Sequence, residues 1–170
     1  MPAFYLDTSA LAKRYKSEPG SDVLDELFAN AGRDPLVTSY LSFLDTLAIA
    51  RRLYSSRELT RRGYEALLGT ITDDFLSILV VQPLHDEVVN RATEVSRDYG
   101  LEGSDALQVA TALLTGATGT VAGLAQSLGP CVLVSSDRRM LSVYRQLGGQ
   151  GLDPEAEGAM ELLRRTRGAP

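Results

Sequence analysis

Short apolar runs that alternate with helix-like segments are the feature that most restricts how this chain can fold. The runs cover residues 3–6, 36–37, 78–81 and 131–134, and none of them alternates apolar with polar side chains. A strand without that alternation is buried on both faces, which is typical of a parallel sheet covered by helices on either side. The pattern therefore predicts an α/β protein with a mostly parallel sheet.

The length of 170 residues suits one domain, which we expect to occupy residues 1–149. After Gly148 the sequence becomes small and polar, so residues 150–170 are expected to form a C-terminal tail with one amphipathic turn near Met160. The glycine-rich residues 115–130 are expected to hold a loop and a short helix.

Composition limits the possible compartments and partners. No apolar run approaches the roughly 20 residues that cross a bilayer, and Asp7 and Lys13 interrupt any signal-peptide core. The single Cys131 excludes an internal disulfide, which fits a reducing cytoplasm.

The net charge and the distribution of the arginines make opposite predictions about a nucleic-acid partner. The net charge of −5 argues against such a partner, but five arginines lie close together and suit phosphate. A run of this kind is more often a solvated helix face than a binding site. The five are Arg51, Arg52, Arg57, Arg61 and Arg62.

Two aspartates directly follow apolar runs. Asp7 ends FYLD, and Asp137 ends CVLVSSD. Sites in open parallel sheets gather at the carboxyl ends of the strands, so both carboxylates could face one crevice. An aspartate between a strand and a helix is also a common helix cap, and for either residue alone that interpretation is favoured.

Two further aspartates stand on predicted helices. Asp45 lies in the helix expected over residues 40–54, whose apolar stripe would comprise Leu41, Leu44, Leu47 and Ala48. A carboxylate on that face needs a partner, a proton or a metal, unless it points to water. Asp105 lies in the first turn of a helix that is apolar nearly all round, where the helix dipole alone would favour an acid.

Four acids on four elements predict one acidic pocket. Clustered carboxylates repel one another unless a cation is present, and hard oxygen ligands suit Mg²⁺ or Mn²⁺. The sequence contains no Cys/His set for zinc, no His-based triad and no glycine-rich nucleotide loop. The acids therefore favour metal-dependent phosphodiester hydrolysis.

Four segments together resemble the PIN-domain family, which comprises metal-dependent ribonucleases and includes the VapC toxins of VapBC toxin–antitoxin pairs. In chain order the segments are FYLDTSALAKRY, SYLSFLDTLAIARR, GSDALQVATALL and CVLVSSDRRML, and the resemblance covers about residues 3–147. It implies a three-layer α/β/α sandwich with a parallel sheet.

The resemblance also implies roles for individual residues. Asp7, Asp105 and Asp137 correspond to metal ligands, and Ser9 would orient the first carboxylate or the metal's water. Asp45 stands where the family usually has glutamate, and its shorter side chain would place it in the first or second shell of the metal.

Substrate and partners follow from the same resemblance. RNA phosphates would be held by arginines near the pocket, namely Arg51, Arg52, Arg138 and Arg139. A homodimer is implied, together with an antitoxin in a groove that includes Leu11, Tyr15 and the helix over residues 40–54.

Three other classes of protein are alternatives, one a binding module and two of them phosphoryl-transfer proteins. Aspartate at position 45 would also suit a catalytically weak PIN-like module that binds RNA or a protein partner. A haloacid-dehalogenase-like phosphatase requires an aspartate where this chain has Ser9, and a response-regulator receiver requires a late lysine, whereas no lysine follows Lys16. Both of these phosphoryl-transfer classes are therefore disfavoured.

Overall fold

The computed structural model describes residues 2–118 and 130–168. Within these ranges, the strands are β1 (Ala3–Leu6), β2 (Leu36–Ser39), β3 (Val80–Gln82), β4 (Cys131–Val134) and β5 (Gln150–Leu152). The helices are α1 (Thr8–Tyr15), α2 (Ser21–Ala29), α3 (Tyr40–Ser55), α4 (Arg61–Ser77), α5 (Asp86–Tyr99), α6 (Gly103–Thr118), α7 (Arg138–Gln146) and α8 (Ala159–Thr166). Most of the loop and short helix expected within residues 115–130 lies outside the described residues.

The five strands form one sheet in the order β3-β2-β1-β4-β5, and all neighbouring strands are parallel. Alternate residues of β1 enter two separate cores: Tyr5 packs with α5, α6 and α7, whereas Phe4 and Leu6 pack with α1, α2, α4 and α8. Both faces of the strand are therefore apolar, which explains the missing alternation. The predicted parallel α/β class and the three-layer sandwich are confirmed.

The C-terminal residues correct the expected domain boundary at residue 149. β5 pairs with β4, with Leu152 opposite Val134, and α8 packs against α2. An ion pair anchors the end of α8, because the Arg167 Nε lies 2.6 Å from the Asp34 Oδ2 and both side chains are buried. Residues 150–168 thus belong to the folded domain, and the expected tail is wrong. Three residues are too few to show a periodic pattern, so the strand was not predicted.

Helix α3 also differs from its predicted apolar stripe. Its buried residues are Ser42, Thr46, Ala50 and Leu53. Leu44 is instead 63% exposed and Ala48 is exposed as well. Leu47 of the predicted stripe does pack against the core. The inner face of this helix thus combines polar and apolar side chains, and hydrophobic periodicity cannot reveal its polar part.

In the part of the chain that the structure describes, no helix has both the length and the apolar character needed to cross a membrane.

Candidate active site

A pocket of about 280 Å³ lies at the carboxyl ends of β1 and β4, where the order of the strands reverses. Open α/β sheets form binding crevices at such a point. All four predicted acids and Ser9 line this pocket. Its residues are Asp7, Thr8, Ser9, Ala12, Asp45, Ile49, Ser104, Asp105, Gln108, Asp137 and Met140.

Asp7 is the most buried of the four acids, with 3% of its surface exposed. It caps α1, because its Oδ1 accepts a hydrogen bond from the backbone nitrogen of Ala10 at 2.8 Å. The hydroxyls of Ser9 and Ser135 donate to its carboxylate, each at 2.8 Å. Burial raises the pKa of Asp7 to about 6, and the charge of Asp137 adds to this effect, while the three hydrogen bonds oppose it.

Asp137 caps α7 in the same way, accepting from the backbone nitrogen of Met140 at 2.8 Å. Its own backbone nitrogen donates to the Ser135 hydroxyl at 3.0 Å. Asp7 and Asp137 are therefore both helix caps and pocket residues. The two interpretations that the sequence left open are compatible, because each cap uses one carboxylate oxygen for the helix.

Asp45 and Asp105 approach the pocket from α3 and α6. Asp45 is half-buried, and the Thr8 hydroxyl donates to its Oδ2 at 3.2 Å. Asp105 is half-buried in the first turn of α6. Burial raises the pKa of Asp105, and the charges of Asp137 and Glu102 raise it further. The carboxylates thus repel one another, as expected for acids gathered in one pocket.

Four polar residues at the site were not predicted from the sequence, namely Thr8, Ser104, Gln108 and Ser135. Ser135 is fully buried and contacts both strand-end acids. Thr8 contacts Asp45, and Gln108 is buried beside the pocket and bonds to Thr8 at 3.3 Å. A glutamine within the apolar sequence of α6 was the one sequence feature that could have drawn attention to Gln108.

The predicted arginines lie on α3 and α7. Arg138 follows Asp137 and is exposed, while Arg139 donates to the backbone oxygen of Gly100. Arg52 lines a second pocket of about 380 Å³, which shares Ala12 and Ile49 with the acidic one. Arg51 lies over the ring of Tyr54, at 5.5 Å, and lines neither of these pockets.

The acids do not form a closed ligand cage. Within residues 2–118 and 130–168, no group of three or more His, Cys, Asp or Glu side chains is arranged so that it could hold a metal ion as it stands. The site is therefore an acidic pocket in which hydrogen bonds to serine, threonine and backbone groups hold the separate carboxylates.

Comparison with known proteins identifies one protein family and several solved structures of similar fold. The model of the PIN domain matches residues 4–146. No curated protein sequence matches the chain.

The crystal structure of PAE2754 from Pyrobaculum aerophilum is 19% identical, with a TM-score of 0.57 over 98% of this chain and 96% of that one. FitAcB from Neisseria gonorrhoeae is 14% identical, with a TM-score of 0.61 over 89% and 97%. VapBC2 from Rickettsia felis, bound to a promoter DNA fragment, is 14% identical, with a TM-score of 0.57 over 88% and 96%. At these identities the likeness to solved structures concerns the fold.

Proposed function

Because the chain belongs to the PIN-domain family, we propose that it is a Mg²⁺- or Mn²⁺-dependent endoribonuclease and the toxin component of a toxin–antitoxin pair. One observation carries this proposal: aspartates from four separate elements, at positions 7, 45, 105 and 137, line a single pocket. RNA is the proposed substrate, and its phosphodiester bond is the bond that is hydrolysed.

The donor set suits a hard divalent cation. The pocket offers carboxylates and hydroxyls, which are the oxygen ligands that Mg²⁺ and Mn²⁺ prefer. Mg²⁺ is commonly held by one or two carboxylates, with waters and substrate phosphates completing its shell, so a closed cage of acids is not required. A cation would also offset the burial and repulsion that raise the pKa values of Asp7 and Asp105.

We assign Asp7, Asp105 and Asp137 to the metal, with Asp45 bound either directly or through a water. When bound, the ion would supply a water of lowered pKa and would stabilise negative charge on phosphate oxygens. Ser9 and Ser135 hold the Asp7 carboxylate in one orientation, and the backbone nitrogen of Met140 does the same for Asp137. These hydrogen bonds would fix Asp7 and Asp137 before substrate arrives.

Flanking RNA phosphates would contact arginines at the rim. Arg138 stands beside Asp137, and Arg52 lies in the adjoining pocket, so a strand that crosses the acids could meet one on either side. Arginine suits this role because its planar guanidinium can donate two parallel hydrogen bonds to phosphate oxygens. The positive charges would also reduce the repulsion between RNA and the acids.

Cleavage of a mixed-sequence fluorogenic RNA, with EDTA, Mg²⁺ or Mn²⁺, tests the proposal. We expect metal-dependent cutting that Asp7→Asn abolishes and that yields 5′-phosphate ends. Asp73→Asn, which changes an exposed aspartate on α4, is the matched control and should cut normally. Cutting in EDTA, or equal cutting by Asp7→Asn, would contradict the proposed function.

The alternative is a catalytically weak PIN-like module that binds RNA or protein. The absence of three acids arranged around one point, among the residues that the structure describes, is the observation that favours it. Such a module would bind RNA without metal-dependent turnover, so the same assay combined with an RNA-binding measurement separates the two functions.

An antitoxin partner and a homodimer are part of the proposal. FitAcB and VapBC2, which share the fold, are toxin–antitoxin complexes. The groove inferred from the sequence needs one correction, since Leu11 is fully buried and cannot line it. Exposed apolar side chains on the same flank are Tyr40 and Leu44 of α3, which are 56% and 63% exposed. Light scattering of the purified chain, alone and co-expressed with its genomic neighbour, measures both assemblies.

A further inference from the structure

A buried amide connects three of the elements that surround the acidic pocket. Gln108 is 4% exposed, and its Oε1 accepts from the Tyr5 hydroxyl of β1 at 2.5 Å. Its Nε2 donates to the Ser42 hydroxyl of α3 at 2.9 Å and to the Thr8 hydroxyl of α1 at 3.3 Å. β1 precedes Asp7, α3 carries Asp45, and Asp105 lies one turn before Gln108 on α6.

The bonds of this amide have a fixed direction. The Tyr5 hydroxyl donates to Oε1, so the amide nitrogen faces Ser42 and Thr8. The Thr8 oxygen then accepts from Gln108, so its single proton has two acceptors within reach, the Asp45 carboxylate at 3.2 Å and the Ser42 hydroxyl at 3.5 Å. The carboxylate is the nearer of the two and carries the negative charge, so it is the favoured acceptor. A reversed amide would draw that proton toward its own oxygen and deprive Asp45 of its donor.

We propose that Gln108 is a positioning residue, which orients the Asp45 carboxylate in the acidic pocket by directing the Thr8 hydroxyl toward it. Gln108 acts through Thr8, and no hydrogen bond joins it to Asp45 among the residues described. Groups that hold a ligand through hydrogen bonds commonly change metal affinity by about 10- to 100-fold when removed. The inference rests on the proposed metal-binding function of the pocket.

Mn²⁺ binding, measured by calorimetry at neutral pH without RNA, gives a readout that is independent of activity. We expect Gln108→Leu and Thr8→Val each to weaken Mn²⁺ binding about 10-fold. The double variant should lose no more than either single one, because both changes break the same chain of bonds. Thr8→Ser, which keeps the hydroxyl, should bind as the unaltered protein does.

A second double-mutant cycle, with Asp45→Ala, separates an effect on the orientation of Asp45 from a general structural defect. In an Asp45→Ala background, Gln108→Leu should have no further effect on Mn²⁺ affinity, whereas a structural defect would lower the affinity in both backgrounds. Thr115→Val is the matched control on the same helix, since this buried hydroxyl bonds to the backbone oxygen of Thr111. If Gln108→Leu does not fold, Thr8→Val at a half-buried position takes its place in the cycle.

The outcomes distinguish failure of the proposed metal site from failure of the positioning role of Gln108. If the unaltered protein binds Mn²⁺ and the Gln108 and Thr8 variants bind it equally well, the positioning role is wrong and the metal site stands. An effect of Gln108→Leu that persists in the Asp45→Ala background also overturns the positioning role. Failure of the unaltered protein to bind Mn²⁺ removes both the metal site and the role of Gln108.

Discussion

The Ser135 hydroxyl lies 2.8 Å from the Asp7 carboxylate, although 128 positions separate the two residues in the chain. The same hydroxyl accepts from the backbone nitrogen of Asp137 at 3.0 Å. One fully buried side chain thus joins the acids that end two neighbouring strands. Its removal should disturb both acids together.

Ser135→Ala should lower metal-dependent cleavage about 10-fold, because the Asp7 carboxylate loses one of the donors that orient it. Cleavage rates at saturating Mg²⁺ measure the effect. Ser136→Ala is the control in the same loop, since the Ser136 hydroxyl makes no hydrogen bond to the acids in the part of the chain that the structure describes. Equal activity of Ser135→Ala and the unaltered protein would show that this hydroxyl does not organise the acids.

The metal-free protein should become less stable, relative to Asp7→Asn, as the pH rises through the range between 3.8 and about 6. Burial raises the pKa of Asp7 from 3.8 to about 6. In that range the unfolded chain releases the proton while the folded chain retains it, so the free energy of unfolding falls as pH rises. The total loss is on the order of 3 kcal/mol. Urea unfolding in EDTA at several pH values measures it.

Added Mn²⁺ should reverse much of this loss above pH 6, because a bound cation favours the ionised form of Asp7. Asp73→Asn serves again as the control and should follow the unaltered protein at every pH. Parallel stability curves for Asp7→Asn and the unaltered protein in EDTA would mean that the Asp7 pKa is not raised in the folded state.

Arg167→Gln should destabilise the whole domain by on the order of 3 kcal/mol, because the buried Asp34 carboxylate loses its buried charged partner and keeps only the more exposed Arg33, at 3.4 Å. The same guanidinium also contacts Glu26, at 2.8 Å. Arg164→Gln, at an exposed position of α8, should change the unfolding free energy by less than about 1 kcal/mol. Urea unfolding distinguishes these values, and similar small losses in both variants would indicate that α8 is not part of the cooperative unit.

Arg138→Gln should raise the KM for RNA several-fold and leave kcat nearly unchanged, since a phosphate contact away from the bond that is cut contributes to binding. It should also reduce the dependence of binding on salt, because one fewer phosphate is neutralised. Arg61→Gln changes an arginine of α4 that pairs with Glu65, and it should alter neither quantity. A fall in kcat with constant KM would place Arg138 in the chemical step instead.

The sequence predicted the features that depend on strong local patterns. Asp7 and Asp137 were found because each follows an apolar strand, and the parallel sheet brings the ends of those strands together. Asp45 was assigned to the pocket, yet its surroundings were misjudged, because α3 buries Ser42 and Thr46 where an apolar stripe was expected.

The parts of the site that the sequence did not predict depend on contacts between residues far apart in the chain. Ser135 and Gln108 acquire their roles only when β4 and α6 are placed beside β1 and α1. In the chain, 100 positions separate Gln108 from Thr8 and 128 separate Ser135 from Asp7. β5 was missed because it has three residues, including Gly151, which leaves space for the side chain of Leu141. A Cβ at position 151 would lie 2.7 Å from that side chain.

Exchange of one proposed ligand for a softer one tests the central claim most directly. Asp105→Cys replaces a half-buried carboxylate by a thiol, and the natural Cys131 is buried away from solvent. If Asp105 binds the metal, RNA cleavage by this variant should fall at least 10-fold with Mg²⁺ and recover substantially with Mn²⁺ or Cd²⁺, which accept sulfur more readily. Asp105→Ser should not recover with either metal. Undiminished cleavage by Asp105→Cys with Mg²⁺, or equal loss with all three metals, would contradict a metal site at these acids.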